Sequence, residues 1–297
     1  MTKGIEWEHY RTFLAVLTEG SLSGAARRLG IAQPTVGRHV SALEAAFGQA
    51  LFTRTQAGLV PTETAEALRG YAESMHHMAA ALEREALSQG EGIRGSVRIS
   101  ASEVIAVEVL PAALARLRRE HPLLAIELVP TNRVQDLLQR EADIAIRMTP
   151  PQQDALVARR IGTIEVGLFA RDDYLAACGA PATLDELPNY TLIGFDTETP
   201  FVRSAQVRLP FWHRDAFALR CDSDVAHLAM IRAGFGIGAC QSAIAARDAR
   251  LQRVLPDAFS FPLETWVTMH GDLRGSRRCM VVFDALVACM QAHIDSE

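Results

Sequence analysis

The sequence has no run of about eighteen apolar residues, the length a membrane-crossing helix requires, so no membrane partner is expected. The first ten residues, MTKGIEWEHY, lack the apolar core of a secretion signal, which predicts a cytoplasmic protein. Cysteine is scarce. Cys178, Cys221, Cys240, Cys279 and Cys289 are odd in number and form no Cys-x-x-Cys pair, which favours reduced thiols over a disulfide framework or a zinc site. Gly-x-Ser-x-Gly, the Walker phosphate loop and His-Glu-x-x-His are all missing, so neither an enzyme nor a cofactor is expected. Gly234-Phe235-Gly236-Ile237-Gly238 imitates a nucleotide loop but follows a helical pattern and precedes a strand, the reverse of the order phosphate binding needs. It reads as a helix stop. His76 and His77 are adjacent, so they point about 100° apart on a helix and make a poor metal pair. No internal repeat or low-complexity segment is present.

What remains is a chain of 297 residues with 49% hydrophobic and 22% charged residues, enough for two or three packed domains. The net charge of −5 hides a local reversal. Within 1–62, Lys3, Arg11, Arg27, Arg28, Arg38 and Arg54 stand against Glu6, Glu8, Glu19 and Glu44, an excess of two positive charges. An acidic remainder would discourage non-specific association with nucleic acid while leaving one basic face.

That basic region holds the most informative stretch, SLSGAARRLGIAQPTVGRHVSAL from Ser21 to Leu43. Ser21 or Ser23 can cap a first helix, Ala25, Ala26 and Leu29 supply a narrow apolar stripe, and Gly30 falls where that helix must stop. Pro34 suits the first turn of a second helix. Val36, Val40, Leu43 and Phe47 then recur at helical spacing, predicting one buried face. The opposite face carries Pro34, Thr35, Arg38 and Ser41 and suits the DNA major groove: Arg38 bidentate to guanine, Gln33 to adenine, Thr35 to a base or a thymine methyl. An ordinary packed helix pair would show the same spacing, so the flanks matter. Trp7, Tyr10, Leu14 and Leu17 predict a supporting helix over 7–19. Downstream, 51–54 and 59–61 read as a small two-stranded wing, with Arg54 and Thr55 placed to hold phosphates.

From Thr62, a plausible helix cap, a helical pattern runs to about 89, with Ala65, Leu68, Ala72, Met75, Ala79, Leu82 and Ala86 at alternating spacings of three and four. So narrow a heptad seam predicts a partner helix and a homodimer, although packing on the chain's own body would satisfy it too. Residues 88–92 look like a hinge. Beyond them strands and helices alternate. A strand at 97–99, a helix at 103–120 with Pro111 inside it, a strand at 125–129, a helix at 134–140 and a strand at 142–148 imply βαβ units and parallel sheets with helices on both faces. Further strands are expected at 165–170, 192–195, 217–221, 236–240 and 265–270, and helices at 225–233, 242–249 and 278–294.

Taken together, these features resemble the LysR-type transcriptional regulators. The likeness is densest over 13–67, in Gly20-Ser21-Leu22, Ala25-Ala26, Leu29, Gln33-Pro34, Leu43-Glu44, Gly48, Leu51-Phe52-Thr53-Arg54 and Thr62-Glu63. It implies an N-terminal winged helix-turn-helix domain over 1–62, a linker helix and hinge over 63–91, and an α/β regulatory domain over 92–297. That domain would resemble a periplasmic binding protein with two Rossmann-like subdomains, about 92–164 plus 267–297 and about 165–266, and a small effector between them. The implied partners are double-stranded DNA, a small effector, further copies as a dimer or tetramer, and RNA polymerase; the anion-donor residues named below point to an anionic effector. DNA contacts are expected from Ser23, Arg27, Gln33, Pro34, Thr35, Arg38, Ser41, Arg54 and Thr55. Three places depart from the family pattern: Thr35-Val36-Gly37, Thr64-Ala65 and Ala239-Cys240-Gln241, the last beside the expected cleft.

Ligands in open α/β sheets collect beyond the carboxyl ends of strands. Strand order therefore nominates Ser102, Glu103, Thr131, Asn132, Arg147, Thr149, Phe195, Asp222 and Ser223 as effector contacts, with Ser102 and Ser223 as anion donors and Arg147 as a carboxylate clamp. Each has a plainer reading, the serines and Asp222 as helix caps and Arg147 as half of an ion pair. Two other functions are open at this point. Cys221, beside the cleft, could sense oxidants, although burial is the commoner fate of such a thiol. The chain could also be a solute-binding module whose N-terminal helices serve only assembly.

Overall fold

The computed structural model describes residues 4–55, 58–86, 92–132, 141–151 and 156–296. The helix expected at 134–140 and the hinge residues 88–91 lie outside them. Two compact units are present, the first taking the described residues up to Ala86 together with Glu141 and the second the remaining described residues.

In the first unit α1 (Trp7–Glu19), α2 (Leu22–Leu29) and α3 (Gln33–Phe47) precede a hairpin of β1 (Phe52–Thr55) and β2 (Gly58–Pro61), and α4 (Glu63–Ala86) follows. Ser21 is the cap of α2, accepting the Gly24 N–H at 3.1 Å. Gly30 ends that helix, and Pro34 sits in the first turn of α3. Val36, Val40 and Leu43 are buried as their spacing predicts, but Phe47 is 36% exposed. It stands next to the C-cap Gly48, where the helix has run past the core it covers. Gly58 is held at φ +123 with its Cα against the Gly20 carbonyl, and a Cβ there would come within 2.8 Å of that oxygen. The wing is thus pinned to the end of α1, where the Leu59 N–H donates to Gly20 O at 2.8 Å.

The second unit holds β3 (Arg94–Ala101), α5 (Glu103–Glu108), α6 (Leu110–Glu120), β4 (Leu123–Pro130), β5 (Ile144–Arg147), β6 (Leu156–Arg171), α7 (Asp172–Cys178), β7 (Ile193–Gly194) and α8 (Pro200–Gln206). β8 (Leu219–Arg220), α9 (Asp224–Ala233), β9 (Gly238–Gln241), α10 (Ser242–Ala245), β10 (Leu251–Val254), β11 (Phe261–His270) and α11 (Arg277–Ile294) complete it. The helix expected over 103–120 is two helices. Proline has no N–H for the preceding turn and its ring crowds that turn's carbonyl, so α5 stops at Glu108 and α6 restarts with Pro111 in its first turn.

The wholly parallel sheet expected from the alternation is also corrected. Strands run in the order β10-β6-β11-β5-β3-β4, with β9 also on β6. β3 is parallel to β4 and β5, but β11 is antiparallel to β5 and β6, and β6 is antiparallel to β9 and β10. Strand direction comes from which long strands pair in space, and hydrophobic period does not encode it. Two apolar clusters fill the unit. One gathers Ile99, Leu110, Ile144 and Leu286, and the other Leu168, Leu192, Trp212 and Phe217. Gly234 ends α9 in the left-handed conformation, as expected of a helix stop. Gly236 lets two backbones touch: a Cβ there would sit 2.2 Å from the Thr191 carbonyl oxygen.

Candidate functional site

The first unit presents one face free of core duty. Arg27, Gln33, Pro34, Arg38, Ser41, Arg54, Thr55 and Ser23 are exposed, and Thr35 is half-buried on the same face of α3. Arg38 Nη2 donates to Thr35 Oγ1 at 3.2 Å, which draws the guanidinium along the outer face of α3. Neighbouring cations are spoken for: Arg28 pairs with Glu19 at 3.1 Å and Arg11 with Glu8 at 3.5 Å. Arg27, Arg38 and Arg54 have no acidic partner among the described residues, so their charge faces outward. Thr55 Oγ1 donates to Gly58 O at 3.2 Å and so also closes the hairpin.

Glu44 performs a task that residue type did not disclose. Its Oε1 accepts the N–H groups of Leu51 and Phe52, at 2.8 and 3.3 Å, tying the wing to the end of α3. Glu44→Ala strands two donors, one of them on the fully buried Leu51. The expected loss is about 2–3 kcal/mol of stability in this unit, since hydrogen bonds to a charged group are worth about that each way. Thermal unfolding should register it, and a melting temperature unchanged from the parent would refute the tie.

The heptad seam of α4 divides in two. Ala65, Leu68 and Ala72 pack with Phe13, Leu17, Leu43 and Leu51 in the chain's own core. Thr62 Oγ1 caps the helix at the Ala65 N–H. Past that point the seam comes free: Met75 is 39% and Leu82 70% exposed, and Ala86 is exposed. Tyr71 at 74% and Met78 at 49% lie outside the predicted seam. Residues 71, 75, 78 and 82 repeat at four, three and four, so the open stripe is rotated from the seam read in the sequence.

In the second unit the carboxyl ends of β3, β4 and β5 open on a cavity of about 620 Å³. Ser102, Thr131, Asn132, Arg147, Thr149, Phe195 and Asp222 line it, together with Ala239, Cys240 and Gln241. Glu103 and Ser223 do not. They bond to each other, Ser223 Oγ donating to Glu103 Oε2 at 2.6 Å, while Ser223 also caps α9 at the Ala226 N–H. Ser223 is therefore a cap and a tie rather than part of the cavity wall. Asp222 too has a structural task, accepting from the Asp196 and Thr197 N–H groups and the Thr197 hydroxyl. The Thr197 hydroxyl and N–H hold its carboxyl below the usual range. Arg147 donates to Ser100 Oγ at 3.2 Å and to its neighbour's carbonyl, which fixes it at the wall.

Sequence reasoning passed over Asp224, which also lines the cavity. As the first residue of α9 it reads as a helix-dipole acid. Burial, then the nearby Glu103 carboxylate, push it up to about 6, against a bond from Asn132 that pulls it down. Ser102 makes no cap bond to α5, and its Oγ is shut off from solvent with no partner among the described residues. The cysteine at the cavity wall is Cys240, and Cys221 does not line it. Burial pushes the Cys240 thiol up to about 12, so it is protonated at neutral pH and unsuited to react with oxidants.

Residues 7–66 match the family described as bacterial regulatory helix-turn-helix protein, lysR family, and residues 90–291 match the LysR substrate binding domain. The chain belongs to the LysR family. This LysR-family chain is 30% identical to the HTH-type transcriptional regulator CrgA of Neisseria meningitidis over 63% of either chain, so the likeness spans less than two thirds of that relative. It is 27% identical to the uncharacterized HTH-type transcriptional regulator YhjC of Escherichia coli, over 95% of this chain and 97% of that one. Full-length CbnR, solved complexed with its target DNA, shares the fold with a TM-score of 0.62 at 19% identity, covering 98% of this chain and all of CbnR. In the LysR regulator no helix among the described residues is long and apolar enough to cross a membrane.

Proposed function

We propose that the protein is a DNA-binding transcriptional regulator, working in the cytoplasm without enzymatic activity of its own, whose cavity in the second unit takes a small effector. The observation that carries this reading is the outer face of α3, where Gln33 and Arg38 are exposed and Thr35 is half-buried between them while Val36, Val40 and Leu43 fill the core. Gln33, Thr35 and Arg38 read base edges, Pro34 and Ser41 border them, and Ser23, Arg27, Arg54 and Thr55 hold the backbone. CbnR, with the same fold, was solved with its target DNA. The open stripe of Tyr71, Met75, Met78 and Leu82 supports pairing of two copies, which suits a two-fold symmetric operator. Effector binding changes regulation by favouring one arrangement of the assembly over another.

The test is retardation of DNA from upstream of the protein's own gene at two salt concentrations. Arg38→Ala should weaken specific binding about 10- to 100-fold and relax base choice, and Arg54→Ala should weaken all sequences alike and lower the salt slope by about one. Equal retardation by Arg38→Ala and the parent would refute the base-reading role. The absence of any retardation, on this DNA and on sites selected from random sequence, would favour the solute-binding module.

A further inference from the structure

Resting on the effector reading above, we propose that the cavity recognises a protonated amine carried on an apolar body, with Asp224 as its counter-charge. Most of the wall is apolar, including Val104, Met148, Phe195 and Phe261. Among the described residues its charged groups are unevenly signed: Asp222, Asp224 and Glu264 against Arg147. Three of these four are already engaged. Asp222 accepts three hydrogen bonds from Thr197 and Asp196, Glu264 pairs with Arg160 at 3.3 Å, and Arg147 is held by Ser100 and the Ile146 carbonyl.

Asp224 differs from the others. It has an amide neighbour in Asn132 and a second carboxylate nearby in Glu103, and the cavity wall's own cation, Arg147, is held elsewhere. Two carboxylates near each other in a partly dry site repel, and an added positive charge relieves both while leaving both ionised. Glu103 itself is fixed by the Ser223 hydroxyl at 2.6 Å, and the Glu103 N–H donates to Asn132 Oδ1 at 3.2 Å. Asn132 therefore bridges the two acids and keeps them in place. Independently, the Ser102 hydroxyl, on another lining residue, is enclosed and has no partner among the described residues, and it can accept a hydrogen bond that an ammonium donates. An ammonium has three donors, enough for Asp224, Ser102 and one further acceptor. A carboxylate ligand seated beside Asp224 would be repelled by its charge. The anionic effector expected from the sequence is thus disfavoured by the cavity's own charges.

The experiment is calorimetric titration of the full chain with three probes of one skeleton: 3-phenylpropylamine, 3-phenylpropanol and 3-phenylpropanoate. The amine should bind at least about tenfold more tightly than the other two, because a charge-assisted hydrogen bond is roughly twice as strong as a neutral one. Asp224→Asn should remove most of that preference, and Ser102→Ala a smaller part. Alcohol or carboxylate binding as tightly as the amine, or an amine affinity unchanged in Asp224→Asn, would overturn the amine assignment and keep a ligand in the cavity. Binding of none of the three would overturn the assignment together with the effector reading of this cavity.

Discussion

Replacing Met75 and Leu82 together by glutamate is expected to leave a folded monomer whose apparent affinity for a two-half-site operator falls by about 10²- to 10⁴-fold, the range that effective concentration contributes to a bivalent binder. Both side chains are largely outside the core, at 39% and 70% exposure, so the change costs little internal packing. Two like-charged residues four-plus-three apart on an apolar seam would instead oppose a partner helix. Ala65→Glu should behave differently. Ala65 is fully buried against the helix-turn-helix, so that variant should unfold the first unit rather than separate copies. Sedimentation velocity and gel retardation on the same samples check both expectations. A double variant that stays dimeric would move the interface to another surface.

Asp224→Asn should raise the thermal stability of the protein at about pH 7.5 and have no such effect near pH 4. The sign follows from linkage. Asp224 titrates at about 6 in the fold, above an unfolded carboxyl near 4, so the folded state holds its proton more tightly. Its contribution to stability is complete below about pH 4 and is lost as pH rises through about 6. At neutral pH the ionised carboxylate therefore costs the fold up to ~3 kcal/mol, because each tenfold change in proton affinity is worth about 1.4 kcal/mol. Asparagine removes that cost, and for a chain of this size the gain would appear as a rise of several degrees, at about 2–4 °C per kcal/mol. No gain at about pH 7.5, or an equal gain at both pH values, would refute the assignment. A destabilising acid retained in a cavity wall is the pattern expected where function needs the charge.

Much of the first unit was legible because its signals are local. Ser21, Gly30 and Pro34 fix helix ends through their own backbone chemistry, and the spacing of Val36, Val40 and Leu43 selects the buried face. The outer set, with Gln33, Arg38 and Ser41 exposed and Thr35 half-buried beside them, follows by subtraction. Glu44 was not legible in this sense, since its role depends on where the wing's backbone donors come to lie. The seam of α4 failed half-way for a similar reason. Heptad spacing states which residues share a stripe, and only the neighbouring helices decide that Ala65 and Ala72 face inward while Tyr71 and Met78 do not.

In the second unit the chain order of strands placed Ser102, Thr131, Asn132, Arg147, Thr149, Phe195 and Asp222 around one cavity, because parallel strands release their following loops at one edge of the sheet. The sequence by itself thus determined the helix-turn-helix, its outward-facing residues and the edge of the sheet where a ligand could collect, since caps, periodicity and strand succession are properties of neighbouring residues. Tertiary structure alone decided that β6 and β11 run antiparallel, that Ser223 is bound to Glu103, and that Asp224 faces the cavity beside a second acid. These depend on pairings between residues over a hundred positions apart or on desolvation, and neither distance nor dielectric is written in a local pattern.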